Sequence, residues 1–245
     1  MKNPEKVEKM RKGGKIIVSI LREILQKVTP GATTLSLDEF AEQLCKENGV
    51  RPAFKGYSSY PATLCVGPND VVVHGIPDDT PLNDGDIVSI DFGIIYDGVY
   101  LDMARTVPVG AISSKVSAFV STVEAALTAG CEAARVGNTV GDIGHAISSV
   151  AEAKGYSVVR EMVGHGVGYK LHEDPMVPGY GRKEEGARLY AGQTLAIEAI
   201  INEGTSEIAI STADGWTSRT KDGKLSALFE NTVCVLEESE ILTPL

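Results

Sequence analysis

Five ionisable residues lie in segments that otherwise read as apolar strands or glycine-rich turns. They are Asp91, Asp102, His165, Glu198 and Glu230. A carboxylate that moves into an apolar interior loses much of its solvation energy or takes up a proton, so four such groups converging on one imidazole need cationic partners. We therefore predict a buried centre that holds about two divalent cations.

The ligand types also limit which metal ions the centre can hold. His165 lies within Gly164–Gly168, where glycines let the backbone approach a site and leave imidazole as the only useful side chain. Mostly oxygen ligands with a single nitrogen favour manganese, iron, cobalt or zinc over calcium, and bridging carboxylates favour two metal ions. His145, in the helix-like run 141–153, is interpreted as a structural or surface residue.

A hairpin would bring two of the acids together. If Asp97-Gly98 forms a two-residue turn, Asp91 lies opposite Ala104 and Asp102 lies two residues further along on the same face. Diagonal neighbours of this kind are about 7 Å apart at the backbone. Both side chains can then reach ions between them.

The elements around these acids follow from periodicity. Apolar residues at helical spacing predict a first helix over residues 4–27, and a second helix is predicted from Ser36, its expected N-cap, to a stop at Asn48-Gly49. Residues 51–84 are rich in proline and glycine and predict an irregular segment. Residues 86–107 predict two strands around the Asp97-Gly98 turn.

The second part of the chain repeats this plan. Four positions recur at an offset of 106 and four at an offset of 107, in the same order of helix stop, loop, glycine turn and acidic strand. The matches are Gly31, Thr33, Leu37 and Gly49 with Gly137, Thr139, Ile143 and Gly155, and Leu82, Gly85, Ile90 and Asp91 with Leu189, Gly192, Ile197 and Glu198. We predict two similar halves whose acids meet at a pseudo-twofold centre, within one domain over residues 1–245.

Composition excludes several classes of protein. The 245 residues are 43% hydrophobic and carry a formal charge of -10, so a general nucleic-acid binder, which needs a basic footprint, is disfavoured. No apolar run approaches the ~20 residues of a membrane span, and the first residues lack the pattern of a secretory signal. We expect a cytoplasmic monomer. Its four cysteines show no CxxC pair and are expected to be reduced.

Several longer stretches resemble methionine aminopeptidases of type I, which are metallopeptidases of the pita-bread fold. The matching stretches are FKGYSSYPATLC at 54–65, NDVVVHGIP at 69–77, SIDFG and YLDMART around Asp91 and Asp102, GHGVGYKLHEDP at 164–175, AIEAI around Glu198, and SALFENTV at 226–233. The resemblance implies an α+β fold, the creatinase/aminopeptidase or pita-bread fold, with two pseudo-symmetric halves, an antiparallel sheet and flanking helices.

The resemblance also implies roles for the five ionisable residues. Asp102 and Glu230 are expected to bridge two metal ions. Asp91 is expected to bind one ion through both carboxylate oxygens, and His165 and Glu198 to complete the shell of the other. Asn69 and Ser226 resemble a family site for a monovalent cation.

Catalytic and substrate-binding residues follow by the same resemblance. His74 and His172 correspond to histidines that contact the scissile amide and stabilise the tetrahedral intermediate, and Glu198 is expected to shuttle a proton. The pocket for the methionine side chain is expected to be apolar and compatible with a thioether. Its predicted members are His74, Tyr57, Tyr60, Cys65, Leu171, His172 and Trp216.

The implied reaction is metal-dependent removal of the initiator methionine from nascent polypeptides whose second residue is small, with the ribosome as a further expected partner. Three departures from the family pattern fall in the pocket loops: Leu171 replaces an aromatic residue, Ser58-Ser59 replace a histidine-glycine pair, and Phe54 replaces a smaller residue. These are expected to alter the shape of the pocket without touching the ligands.

Two alternatives remain at this stage. A proline-specific aminopeptidase or prolidase would share the five ligands, but such proteins generally carry a large additional N-terminal domain, and the FKGY and HGIP loops favour the methionine branch. A non-catalytic binding protein on the same fold would be expected to have lost metal ligands. All five are present here.

Overall fold

The computed structural model describes residues 3–245 and contains four α-helices within that range. They are α1 (Pro4–Leu25), α2 (Thr34–Glu47), α3 (Ser114–Ala133) and α4 (Val140–Glu152). Pro4 stands in the first turn of α1, where its missing N–H has no helical partner to lose. In α4, Thr139 and Asp142 form a reciprocal capping box that satisfies the first free N–H groups.

Thirteen strands and one short 3-10 helix, Tyr57–Ser59, complete the regular structure of the described residues. The strands are β1 (Arg51–Pro52), β2 (Leu64–Pro68), β3 (Val71–Val73), β4 (Ile87–Tyr96), β5 (Val99–Pro108), β6 (Ser157–Val158), β7 (Gly164–Gly166), β8 (Glu173–Val177), β9 (Thr194–Asn202), β10 (Ile208–Ile210), β11 (Ser218–Thr220), β12 (Ser226–Cys234) and β13 (Glu240–Ile241). The prediction of two strands around Asp97-Gly98 is confirmed by β4 and β5.

The strands form one large antiparallel sheet and one small one. The large sheet runs β1-β4-β5-β12-β9-β7-β8, with β2 also paired to β4, β6 to β9 and β13 to β12. The small sheet runs β10-β11-β3. Helices α1 and α2 cover the β4 side of the large sheet, and α3 and α4 cover the β9 side. This is the α+β arrangement expected from the sequence.

The two predicted halves are confirmed in backbone detail. The N-cap of α2, Thr33, bridges Pro81, and the N-cap of α4, Thr139, bridges Arg188. The loop hydrogen bonds repeat in the same way. Equivalent N–H to C=O pairs are Gly31 to Leu82 and Gly137 to Leu189, and Gly85 to Val109 and Gly192 to Val235.

The start of α2 differs from the prediction. Ser36 was expected as the N-cap, but the hydroxyl of Thr33 accepts the backbone N–H of Ser36 at 3.1 Å, and the helix begins at Thr34. Ser36 instead donates its own hydroxyl to the Thr33 carbonyl at 2.7 Å. Both residues are good caps, and the bridge from Thr33 to Pro81 fixes the extended backbone that an N-cap requires. The predicted stop at Asn48-Gly49 is confirmed, with Gly49 in the left-handed region.

Each half has its own apolar core. One core contains residues of α1, α2, β2 and β4, and the other contains residues of α3, α4, β9 and β12. All four cysteines are buried and form no disulfide. Within residues 3–245, no helix is both long and apolar enough to cross a membrane.

Candidate active site

A single row of side chains crosses four strands of the large sheet. Asp91 on β4 lies opposite Ala104 on β5, Ala104 lies opposite Glu230 on β12, and Glu230 lies opposite Glu198 on β9. Directly opposed residues of antiparallel strands point to the same face. The row therefore places three acids on one face, and the small side chain of Ala104 leaves space between them.

A second row lies two residues away and completes the set. Asp102 lies opposite Gly93, and His165 on β7 lies opposite Ala196. Because side chains alternate along a strand, Asp102 shares the face of Ala104, and Ala196 shares the face of Glu198. The pairing of Asp91 with Ala104 confirms the hairpin register that the Asp97-Gly98 turn predicted.

The distances show that the five predicted residues form one cluster. Single ligand atoms of Asp102, His165 and Glu230 lie within 4.8 Å of one another, and all three residues are buried. Nε2 of His165 lies 3.7 Å from Oε1 of Glu198. Asp91 adjoins Asp102 across the hairpin and lines the same cavity.

The carboxylates of this cluster lack the partners that buried charges need. Oδ1 of Asp91, Oδ1 of Asp102 and Oε1 of Glu230 are buried and have no hydrogen-bond partner among the described residues. Burial raises the pKa of Asp102 to about 7 and that of Glu198 to about 8, with the neighbouring Asp102 carboxylate adding to the second shift. Burial and the adjacent acids also raise the pKa of Asp91 and of Glu230. Divalent cations would stabilise the charged forms, so the site fits metal ions.

His165 is prepared as a neutral nitrogen ligand. Burial, with a contribution from His172, lowers the pKa of His165 to about 4, so the ring is uncharged at neutral pH. Nδ1 lies 2.9 Å from the carbonyl oxygen of Gly166, to which it donates its proton. Nε2 then carries the free lone pair and faces Glu198.

A cavity of about 300 Å³ opens directly beside the acids. All seven residues predicted for the substrate pocket line it, together with the five predicted metal ligands. The further lining residues are Phe54, Val73, Glu161, Met162 and Val163. Sequence reasoning did not assign the last four of these. The only signal for three of them is that they immediately precede the Gly164–Gly168 turn.

One wall of the cavity is aromatic. The hydroxyl of Tyr60 donates to the carbonyl oxygens of Leu64 at 3.0 Å and Gly75 at 2.9 Å, which fixes its ring edge-on to Trp216 at 5.1 Å between centroids. Trp216 is also edge-on to His74 at 6.1 Å. His74 has a φ of 58°, a left-handed conformation that a non-glycine residue adopts at some energetic expense. The surrounding structure therefore holds the backbone of His74 in this conformation.

The second catalytic candidate, His172, contacts Tyr57 and His165. Nδ1 of His172 lies 2.8 Å from the hydroxyl of Tyr57, and the His172 ring lies 4.2 Å from that of His165. Burial lowers the pKa of His172 and of His74, so both rings are neutral near pH 7. The departures Ser58 and Ser59 both have positive φ, and they shape the tight turn that carries Tyr57.

Three other residues singled out from the sequence, Asn69, Ser226 and His145, lie outside this cavity. The backbone N–H of Ser226 donates to the carbonyl oxygen of Asn69 at 2.9 Å, so the two residues of the predicted monovalent cation site are adjacent. His145 lies on α4 and lines a separate surface cavity, away from the acids.

Comparison with known proteins agrees with this geometry. The model of metallopeptidase family M24 matches residues 8–237. A methionine aminopeptidase of Clostridium perfringens is 46% identical over 99% of this chain and 98% of its own length. The chain belongs to metallopeptidase family M24, among its methionine aminopeptidases. The resemblance stated from the sequence is thereby confirmed.

Solved structures support the same assignment. A crystal structure of methionine aminopeptidase from Rickettsia prowazekii superimposes with a TM-score of 0.96 at 39% identity, covering 98% of this chain and 97% of that one. Prolidase from Pyrococcus furiosus gives a TM-score of 0.79 at 24% identity, covering all of this chain and 65% of its own, which is a likeness of fold alone. The M24 fold with its two similar halves is thus the fold predicted.

Proposed function

We propose that this M24 enzyme removes the N-terminal methionine from nascent proteins whose second residue is small. The observation that carries the proposal is the cavity itself, because an aromatic and sulfur-containing pocket opens directly onto a five-residue cage with unsatisfied carboxylate oxygens. Its methionine aminopeptidase relatives agree with that substrate.

The cage residues would hold two divalent metal ions. Asp91, Asp102, His165, Glu198 and Glu230 supply one neutral nitrogen and four carboxylates. Such ions would lower the pKa of a bound water molecule and polarise the carbonyl of the first residue. Manganese, iron, cobalt and zinc all suit this donor set. We place a monovalent cation near Asn69 and Ser226 as a further structural ligand.

The chain's own groups then handle protons and orientation. Glu198, whose side chain is 13% exposed at the edge of the cavity, takes the proton of the attacking water and delivers it to the leaving amine. His74 and His172 donate hydrogen bonds to the scissile amide and to its developing oxyanion. For His172 to donate from Nε2, its Nδ1 must accept the proton of the Tyr57 hydroxyl, which lies 2.8 Å away.

The pocket selects the first residue by shape and polarity. Tyr60, Cys65, Leu171 and Trp216 provide an apolar lining that suits an unbranched thioether. Burial and the nearby Asp91 raise the pKa of the Cys65 thiol, so it remains a neutral wall. Phe54 narrows the same cavity.

The proposed location of the enzyme follows from its substrate. We propose a cytoplasmic enzyme that acts on polypeptides as they leave the ribosome, as a monomer whose residues 1–245 make one catalytic domain.

A peptide panel tests the proposal. Met-Ala-Ser should be hydrolysed after addition of manganese, iron, cobalt or zinc to the metal-free protein, whereas Met-Leu-Ser and Ala-Pro should not. The Glu198→Gln variant should be inactive, and Glu207→Gln, which alters an exposed ion pair with Lys221, should match the unmodified enzyme. Hydrolysis of Ala-Pro alone would assign the prolidase reaction instead. Inactivity with every metal would support a non-catalytic binding protein.

A further inference from the structure

The two halves of the large sheet meet along a short seam between β5 and β12. Only two residue pairs follow the regular ladder there, Glu230 with Ala104 and Asn231 with Met103. The neighbouring β9–β12 pairing, by contrast, is regular over nine pairs. The seam therefore depends on groups other than the backbone ladder.

Two buried threonines replace the ladder on either side of the regular pairs. The hydroxyl of Thr232 accepts the backbone N–H of Asp102 at 3.0 Å and donates to the carbonyl oxygen of the same residue at 2.8 Å. The hydroxyl of Thr106 accepts the N–H of Leu228 at 2.9 Å and donates to its carbonyl at 2.9 Å. The two arrangements have the same geometry, two residues to each side of the Ala104–Glu230 pair.

The two threonines differ in what they hold. Thr232 fixes the backbone of Asp102, an acid of the cage whose Oδ1 has no hydrogen-bond partner among the described residues. Thr106 fixes the backbone of Leu228, which has no part in the cage. Thr232 is itself anchored, because its N–H donates to the hydroxyl of Thr243 at 2.9 Å and its carbonyl accepts the N–H of Leu242 at 2.8 Å.

We propose that Thr232 is a positioning residue for the metal centre, which it serves by fixing the backbone of Asp102. The inference rests on the proposed metal site. A hydroxyl bound to both polar groups of one residue restrains the position of its Cα and the direction of its side chain. Partners of metal ligands typically change metal affinity by ~10–100-fold when they are removed.

The test is a calorimetric titration of Mn²⁺ into metal-free protein, with the two threonines as a matched pair. Thr232→Val should weaken Mn²⁺ binding by ~10–100-fold, and Thr232→Ser, which keeps the hydroxyl, should retain the original affinity. Thr106→Val removes the equivalent two hydrogen bonds at the other end of the seam and one more, between the hydroxyls of Thr106 and Ser89. It should lower stability against urea and leave Mn²⁺ affinity within about threefold of the original, which corresponds to under ~1 kcal/mol.

Each outcome is decisive. Equal losses of affinity in Thr232→Val and Thr106→Val would show a general loosening of the seam and overturn the proposal, as would normal affinity in Thr232→Val. If Thr232→Val does not fold, Thr232→Ala is compared with Thr106→Ala on the same criteria. If the unmodified protein bound none of Mn²⁺, Fe²⁺, Co²⁺ and Zn²⁺, the metal site would be refuted and the proposed function with it.

Discussion

The two halves of the molecule connect their acid-bearing strands in different ways. In the first half, β4 and β5 are joined by the two-residue turn Asp97-Gly98. In the second half, residues 203–225 intervene between β9 and β12 and carry β10, β11 and Trp216. Two of the three strands of the small sheet and part of the pocket wall thus belong to the second half only, with β3 of the first half as the third strand. Caps, bridges and glycine turns are shared by both halves.

The pair of acids in each half is also arranged differently. Asp91 and Asp102 are diagonal neighbours on their hairpin, while Glu198 and Glu230 are directly opposed. Glu230 takes the position equivalent to Ala104, with which it pairs across the seam. Duplication therefore accounts for the frame, whereas the acids and the segment 203–225 differ between the halves.

The two halves also differ in which helix of each pair carries the larger side chain at their contact. Ile24 on α1 and Ala41 on α2 are buried at positions equivalent, at the offset of 106, to Gly130 on α3 and Ile147 on α4. The large and small residues have changed places. A Cβ on Gly130 would lie 2.6 Å from Cγ1 of Ile147, which explains why α3 carries glycine there.

The largest expected effect concerns whether the halves contribute equally to the cage. Asp102→Asn and Glu230→Gln should each reduce kcat/KM for Met-Ala-Ser by at least ~1000-fold, because loss of one member of a catalytic unit disables the whole. The exposed variant Glu207→Gln serves as the control. Retention of activity in only one of the two variants would show that a single half suffices for the metal chemistry.

The next effect tests the exchange of large and small residues between the helices. Gly130→Ala should lower the free energy of unfolding by about 1–3 kcal/mol, since the added methyl group overpacks against Ile147. In an Ile147→Ala background the same change should be less destabilising, which urea unfolding of the single and double variants measures as a coupling energy. Additive effects would contradict the packing argument.

The pH dependence of stability in the metal-free protein reports on the protonation of the cage acids. Asp102 and Glu198 have pKa values raised to about 7 and about 8, so the folded protein holds protons that the unfolded chain has already released. Stability of the metal-free form should therefore fall as pH rises from about 7.5 to about 8.5, chiefly through Glu198, by up to ~1.4 kcal/mol per proton and pH unit. Unfolded histidine is mostly neutral in this window, so the buried imidazoles contribute little.

Thermal unfolding at several pH values, with and without Mn²⁺, measures this effect. The Mn²⁺-loaded protein should show a flatter profile, because bound cations stabilise the ionised acids. A metal-free protein whose stability rises across that window would show that the cage acids are ionised without metal.

The smallest effect concerns the pocket loops. Tyr57→Phe removes the hydroxyl that holds Nδ1 of His172, and a single hydrogen bond of this kind contributes about 1 kcal/mol. We expect kcat to fall by roughly fivefold with little change in KM. A rise in KM at constant kcat would show that Tyr57 acts only as a wall of the pocket.

Local patterns in the sequence were sufficient to predict the β4–β5 hairpin and the two similar halves. The Asp97-Gly98 turn determined which residue faces Asp91, and the repeated glycines and acids disclosed the two halves. The N-cap of α2 was misplaced because Thr33 and Ser36 have similar capping propensity, and the deciding contact comes from Pro81. Pattern alone could not choose between them.

The missed parts of the site depend on distant contacts. The bond between Tyr57 and His172 joins residues 115 positions apart, and that between Thr232 and Asp102 joins residues 130 positions apart. Neither contact leaves a periodic signal in the sequence. Met162 was missed for a similar reason, because an apolar residue before a glycine turn is equally consistent with a core position.

The seam between β5 and β12 also bears on how the protein folds. The cage draws on residues from Asp91 to Glu230, and it cannot exist until the two separately cored halves have docked. Such long sequence separations slow folding, because the chain must close large loops before these contacts form. Metal capture should accordingly be a late event during refolding, and its rate would report on docking of the halves.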